Sequence, residues 1–200
     1  MPVTDFSRVE KNLRDRGYTV KIFSGGAEAA AYLNGAIDGV SVGIGGSATV
    51  KDIGIYELLE THNEVYWHWM QEPDAARAGA MKTDVYLSSV NALAESGEMV
   101  NIDGIGNRVA STLFGHKKIY LLVGRNKLAA TYENAVWRAR NVAAPLRARQ
   151  MKRKTPCAVG DGICRDCRGP ERVCRGMVVL WGPMLGMEAE VILIDEDLGL

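Results

Sequence analysis

The sequence predicts an α/β protein whose largely parallel sheet is covered by helices on both faces. Three observations lead there. Short apolar runs alternate with amphipathic segments along almost the whole chain, which is the signature of strands crossing over through helices. Glycines punctuate the junctions between the two kinds of segment. The chain has 200 residues, 47% hydrophobic and 24% charged, which suits one domain, residues 1–200, with a sizeable core.

The elements follow in order. Thr4 or Asp5 caps a first helix that buries Phe6, Val9 and Leu13. Tyr18 to Phe23 reads as a strand, Gly25-Gly26 turns the chain, and the alanine-rich stretch Ala27 to Leu33 is helix. Val40 to Ile44 is a short buried strand ending in glycines. Thr49 to Leu59 is helical, with Ile53, Tyr56 and Leu59 on one face. Val65 to Trp67 is a strand, and Pro73 opens the next helix. Val85 to Ser88 is a strand, Ala92 to Glu95 a helical turn, Met99 to Ile102 a short strand and Asn107 to Phe114 a helix. Ile119 to Val123 is the clearest buried strand. Tyr132, Val136, Ala139, Ala143 and Leu146 recur at the spacing of one long helix. Met177 to Trp181 and Val191 to Ile194 close the pattern as strands.

Lys+Arg and Asp+Glu balance at 24 each, so nothing points to nucleic acid or to a membrane surface. No apolar run is long enough to span a bilayer. The N-terminal residues lack a basic region followed by an apolar run, which leads us to expect a reducing, cytoplasmic setting. The one local charge excess runs from Arg147 through Lys154; such a run is usually a solvated helix end, and it also suits an anion.

In a parallel sheet, ligands sit at the carboxyl ends of the strands, in the loops entering helices. Two such loops are rich in glycine. In the first, Gly43, Gly45, Gly46, Ser47 and Thr49 form a candidate cradle for phosphate, carboxylate or the pyrophosphate of a nucleotide. No Gly-Lys-Ser/Thr follows, so it is not a Walker loop. The same residues also suit a tight turn with Ser47 or Thr49 as helix cap. In the second, Asp103, Gly104, Gly106, Asn107 and Arg108 combine close backbone approach with a carboxylate and a planar cation. An Asp103–Arg108 ion pair of purely structural purpose, with Asn107 as a cap, reads the same pattern. Ser88 and Asn91 lie just past another strand end. The anionic ligand expected here is therefore small and would contact both loops.

All four cysteines lie in one cysteine-rich loop, residues 155–175: Cys157, Cys164, Cys167 and Cys174. A central Cys-x-x-Cys pair is flanked on each side by a cysteine, a spacing able to supply four thiolates to zinc or to an iron–sulfur cluster. Free redox-active thiols or two disulfides are the alternatives. Arg165, Arg168, Arg172 and Arg175 surround the thiols and are expected to favour the thiolate. His62, His68 and His116 share no spacing, and Trp67-His68-Trp69 reads as core or interface.

The runs Lys82-Thr83-Asp84-Val85-Tyr86-Leu87-Ser88-Ser89-Val90-Asn91-Ala92 and Asn101-Ile102-Asp103-Gly104-Ile105-Gly106-Asn107-Arg108 resemble the LUD (lactate utilisation) domain. Gly115-His116-Lys117-Lys118, Val123-Gly124-Arg125-Asn126-Lys127, Asn141 to Leu146 and Thr155-Pro156-Cys157 continue the match. The resemblance implies a Rossmann-like, three-layer α/β/α fold of the sugar-phosphate isomerase and CoA-transferase type, in which a Gly-rich Ser/Thr loop holds an anion. The isomerases' acidic catalytic motif is not recognisable here. It also implies a component of a redox system in organic-acid (lactate) metabolism, acting beside iron–sulfur partner proteins. Two other functions stay open: an isomerase- or transferase-type enzyme with structural zinc, and a non-catalytic ligand-binding subunit. The sequence names neither substrate nor oligomer; a homo-oligomer is allowed.

Overall fold

The computed structural model describes residues 5–200. Among these residues ten strands form two sheets, and helices cover the larger one. The larger sheet contains β1 (Thr19–Phe23), β2 (Ser41–Ile44), β3 (Glu64–Trp67), β4 (Val85–Ser89), β7 (Lys118–Gly124) and β10 (Glu188–Ile194). Its order is β1-β10-β7-β4-β2-β3, and every neighbouring pair is parallel. The expected parallel sheet is therefore present. Its central strands are buried on both faces, which is why β7 and β10 read as continuous apolar runs.

Two cores flank this sheet. On one side α2 (Gly26–Ala36), α3 (Ala48–Asp52) and α4 (Ile55–Leu59) pack Leu33, Val50, Ile55 and Leu59 against Ile44, Leu87, Leu122 and Ile192. On the other, Val9 and Leu13 of α1 (Phe6–Asp15) join Tyr86, Leu121, Val123 and Leu193. Asp5 caps α1 by accepting from the Ser7 amide; Thr4, the other candidate cap, lies outside the described residues. Pro73 opens α5 (Pro73–Ala80), which the Glu72 carboxylate caps.

Three local expectations are corrected. The single helix expected from Thr49 to Leu59 is two short helices, because Gly54 between them adopts φ +66°, a left-handed conformation that ends α3. The expected helical turn at Ala92 to Glu95 is strand β5 (Ala92–Ala94). It belongs to a second sheet with β6 (Met99–Asp103), β8 (Leu128–Ala129) and β9 (Gly176–Leu180), in the order β8-β5-β6-β9. All three β5 residues are buried, so pairing on both edges overrides the helical preference of alanine. The long helix is continuous but changes pitch: α7 (Tyr132–Arg138) passes through a π-helical segment, Ala139–Ala143, into α8 (Ala144–Gln150). Pro145 has no N–H to donate at this point, which suits a widened turn. Leu146 is partly exposed, and its neighbours Pro145 and Ala148 are buried. The remaining helices are α6 (Asn107–Leu113) and the single turn α9 (Pro156–Val159).

Candidate functional site

The carboxyl ends of β2, β3 and β4, together with the end of β6 and the segment after β7, surround one cavity of about 330 Å³. Both glycine loops open onto it, through Gly46 and Ser47 on one side and Asp103, Gly104, Asn107 and Arg108 on the other. Asn91, His68, Lys127, Arg147, Arg153 and Arg172 complete most of its polar wall.

Each expected site residue has a definite place. Gly43 lies behind the cavity: a Cβ there would meet Ala80 O at 2.6 Å and Thr83 Oγ1 at 2.7 Å, so its role is close packing of β2 against the α5–β4 connection. Gly45 donates to Leu87 O (2.9 Å) and accepts from Trp67 Nε1 (3.0 Å). Ser47 caps α3 by accepting from the Val50 amide (3.2 Å), and it also borders the cavity. Ser88 is fully buried and turned back toward Ser89 O. Asn91 pins the second sheet, its Oδ1 accepting from the Ile102 amide (2.6 Å). Gly106, at φ +97°, forms the sharp entry to α6, and Asn107 at its first residue makes no capping bond.

Asp103 organises the second loop. Its Oδ1 accepts from the amides of Gly104 (2.6 Å), Ile105 (3.2 Å) and Gly106 (3.2 Å), and its Oδ2 from Val109 (3.3 Å). The amides of this loop thus already hold an anion, supplied by the protein. Arg108 is equally engaged. Its Nη1 donates to Ser89 O (3.1 Å) and Asn101 Oδ1 (2.5 Å). Its Nη2 donates to Ile102 O (2.6 Å) and Asn91 Oδ1 (3.2 Å). Its Nε lies 3.7 Å from Asp103 Oδ2. Arg108 therefore ties β4 to β6 and contributes charge to the cavity, while its donors are taken up by the protein.

The residue that sequence reasoning passed over is Lys127, which follows β7 at the end of a 3₁₀ turn, Arg125–Lys127. It is 4% exposed and lines the cavity. Its Nζ donates to Thr49 Oγ1 (2.6 Å) and Ser89 Oγ (2.7 Å). Among the described residues no Asp or Glu lies within 4.0 Å of it. Burial, reinforced by the charges of Arg138 and Arg108 and opposed by Asp52, pushes its pKa down to about 7. Thr49, expected to contact ligand directly, instead stands behind the cavity as a hydroxyl partner of this amine. The available signal was topological: β7 lies beside β4 at the centre of the sheet, so the turn after β7 must reach the site.

His68 and the basic run were also more involved than their sequence context suggested. His68 follows β3, and burial holds its pKa below the usual histidine value, with Arg77 and Arg147 adding to the effect. Trp67 is core, hydrogen-bonded to Gly45, and Arg147 lies 4.8 Å over the ring of Trp69. Arg147, half-buried, and Arg153, exposed, both from the basic run, line the cavity.

The cysteine-rich loop forms the remaining wall through Pro170, Glu171, Arg172, Val173 and Arg175. Cys164 and Cys174 border a second cavity of about 320 Å³ together with Arg140, Asp166 and Arg172. All four cysteines are free and partly buried. Among the described residues no three His, Cys, Asp or Glu side chains come together in a set able to hold a metal ion. The expected lowering of thiol pKa does not hold at Cys174, where burial outweighs the opposing charge of Arg172 and pushes the thiol up.

The family model for the LUD domain matches residues 6–194. The chain belongs to the LUD-domain family. A crystal structure described as a DUF162 family protein from Deinococcus radiodurans, at 1.70 Å resolution, has the same fold as this LUD domain. The TM-score is 0.55 at 16% identity over 94% of each chain. No curated protein matches the chain. Among the described residues no helix is long and apolar enough to cross a membrane.

Proposed function

We propose that this LUD-domain protein binds a small anionic metabolite, a carboxylate or a phosphate compound, as a component of organic-acid metabolism of the lactate-utilisation type. The observation that carries the reading is charge. Arg108, Arg147, Arg153, Arg172 and Arg175 line the cavity, against the side-chain carboxylates of only Asp103 and Glu171 among the described residues. Both acids are already occupied, Asp103 by loop amides and Glu171 by the Lys154 amide (2.6 Å). Cations held together in a partly desolvated cavity repel one another, and an anion relieves that repulsion. Amides at the start of α3 have no intrahelical acceptors and add to the same field.

The test is a calorimetric titration of the purified protein with lactate, pyruvate, inorganic phosphate and a nucleoside diphosphate, with neutral glycerol as control. Binding of at least one anion, weakened at least tenfold in the double variant Arg147→Ala/Arg153→Ala, supports the reading. Equal, salt-independent indifference to all four anions overturns it. Anaerobic purification with metal analysis separates a redox component from a metal-free binding subunit. A zinc ion or cluster would require residues 155–175 to rearrange until further ligands join Cys164 and Cys174.

A further inference from the structure

We propose that Lys127 is an amine nucleophile, and that the cavity takes a carbonyl compound bearing an anionic group, held as an imine on Nζ. The proposal rests on the anion-site reading above and adds the chemistry at its floor.

The geometry is that of a prepared amine. A neutral lysine side chain has two N–H protons and one lone pair. Thr49 Oγ1 at 2.6 Å and Ser89 Oγ at 2.7 Å take the two protons. Among the described residues the lone pair is left with no partner, on a side chain that lines the cavity. Both hydroxyls are themselves fixed, Thr49 by donating to Leu198 O (3.3 Å) and Ser89 by its place at the end of β4. A structural lysine would be expected to meet a carboxylate, and among the described residues no Asp or Glu lies within 4.0 Å of it. The charged groups bearing on it are Arg138 and Arg108, which disfavour its protonated form, and Asp52, which favours it. Arg138 is held by Asn126 O (2.8 Å) and Asn91 O (2.5 Å), so it cannot swing away. Desolvation beside other cations is the environment that keeps a lysine amine unprotonated and reactive.

The step balances without an external redox agent. The Nζ lone pair attacks the carbonyl carbon and the C=O π pair moves to oxygen. One amine proton transfers to that oxygen to give a carbinolamine. A second proton, from solvent, lets the oxygen leave as water, and the product is a protonated imine. Arg147 and Arg153 on the cavity wall are placed to hold the anionic group of the same molecule.

The experiment incubates the wild-type protein with glyoxylate and cyanoborohydride, which reduces the imine to a stable carboxymethyl-lysine, followed by peptide mapping. Glycolaldehyde phosphate tests a phosphorylated carbonyl, and neutral glycolaldehyde is the uncharged control. Lys127 is expected to be labelled at least tenfold faster than exposed Lys11 and Lys117, and faster by an anionic than by the neutral aldehyde. Inorganic phosphate should slow labelling at Lys127 and not at Lys11. The Lys127 rate should rise with pH and level off once the pH is well above about 7. Labelling of Lys127 no faster than of the exposed lysines overturns the proposal. If phosphate then still binds by calorimetry, the anion site stands and only the amine chemistry falls. Since the mapping uses wild-type protein, it does not depend on any variant folding; Lys127→Arg serves as the unreactive cationic control.

Discussion

Replacing Lys127 by Met keeps the apolar stem and removes the buried amine, and the consequence is a change in how stability depends on pH. The ordinary lysine value is 10.5, and in the folded protein burial lowers it to about 7. At about 1.4 kcal/mol per tenfold change, that difference corresponds to about 5 kcal/mol between the two protonation states. The sign follows from where the proton resides. Below about pH 7 the amine is protonated in both folded and unfolded chains, and the full penalty of burying a cation weighs on the fold. Between about 7 and 10.5 only the unfolded chain holds the proton, so stability rises with pH. From pH 7 to pH 9 the wild type should gain about 2 kcal/mol relative to Lys127→Met from this group alone. Urea unfolding of both proteins at pH 7, 8 and 9 measures it. The loss of bonds to Thr49 and Ser89 offsets the Met variant equally at each pH, so the change in the gap is the readout. A gap that stays constant across that range refutes the claim that Lys127 is buried without a counter-ion.

Arg108→Ala should destabilise the fold by about 3 kcal/mol or more, because it leaves Ser89 O, Ile102 O and Asn101 Oδ1 without their donor; urea unfolding indistinguishable from wild type would show that these bonds are not structural. Asp103→Ala should cost about 1–3 kcal/mol by freeing the amides of Gly104, Ile105 and Gly106, and those amides then become available to added phosphate. Tighter phosphate binding in that variant, read by calorimetry, is the expected result, and unchanged binding counts against it. Gly43→Ala should lower stability by about 1–3 kcal/mol through overpacking against Ala80 O and Thr83, with anion affinity little changed. Thermal melting and titration on the same sample check both halves.

How much was legible in the sequence depended on whether local pattern and long-range packing agreed. The buried strands β4, β7 and β10 announced themselves because a parallel strand covered on both faces is apolar at every position. The family was legible in the run from Asp103 to Arg108. Strand β5 was not legible, since three alanine and leucine residues carry no strand pattern and acquire one only by pairing with β6 and β8. Gly54 was visible as a glycine but not as a break, which depends on its left-handed backbone. The second loop was recognised as a site element, yet its amides proved to be closed by Asp103. Lys127 escaped because nothing next to it in sequence distinguishes it from a surface lysine. Its burial comes from Thr49 and Ser89, far away along the chain. The thiol spacing was easy to see; the arrangement of the loop that carries it was not a property of spacing.

The cavity wall draws on chain segments from Gly46 to Leu200, with no two neighbouring strands supplying all of it. A molecule bound there would act as a tie between the first and last parts of the chain, and it could be held only while the central strands stay together. Binding would therefore register as whole-molecule stability: a ligand present at about one hundred times its Kd would add about 2.7 kcal/mol to unfolding. A melting curve recorded against a set of small anions would then reveal the preferred one before any reaction was known.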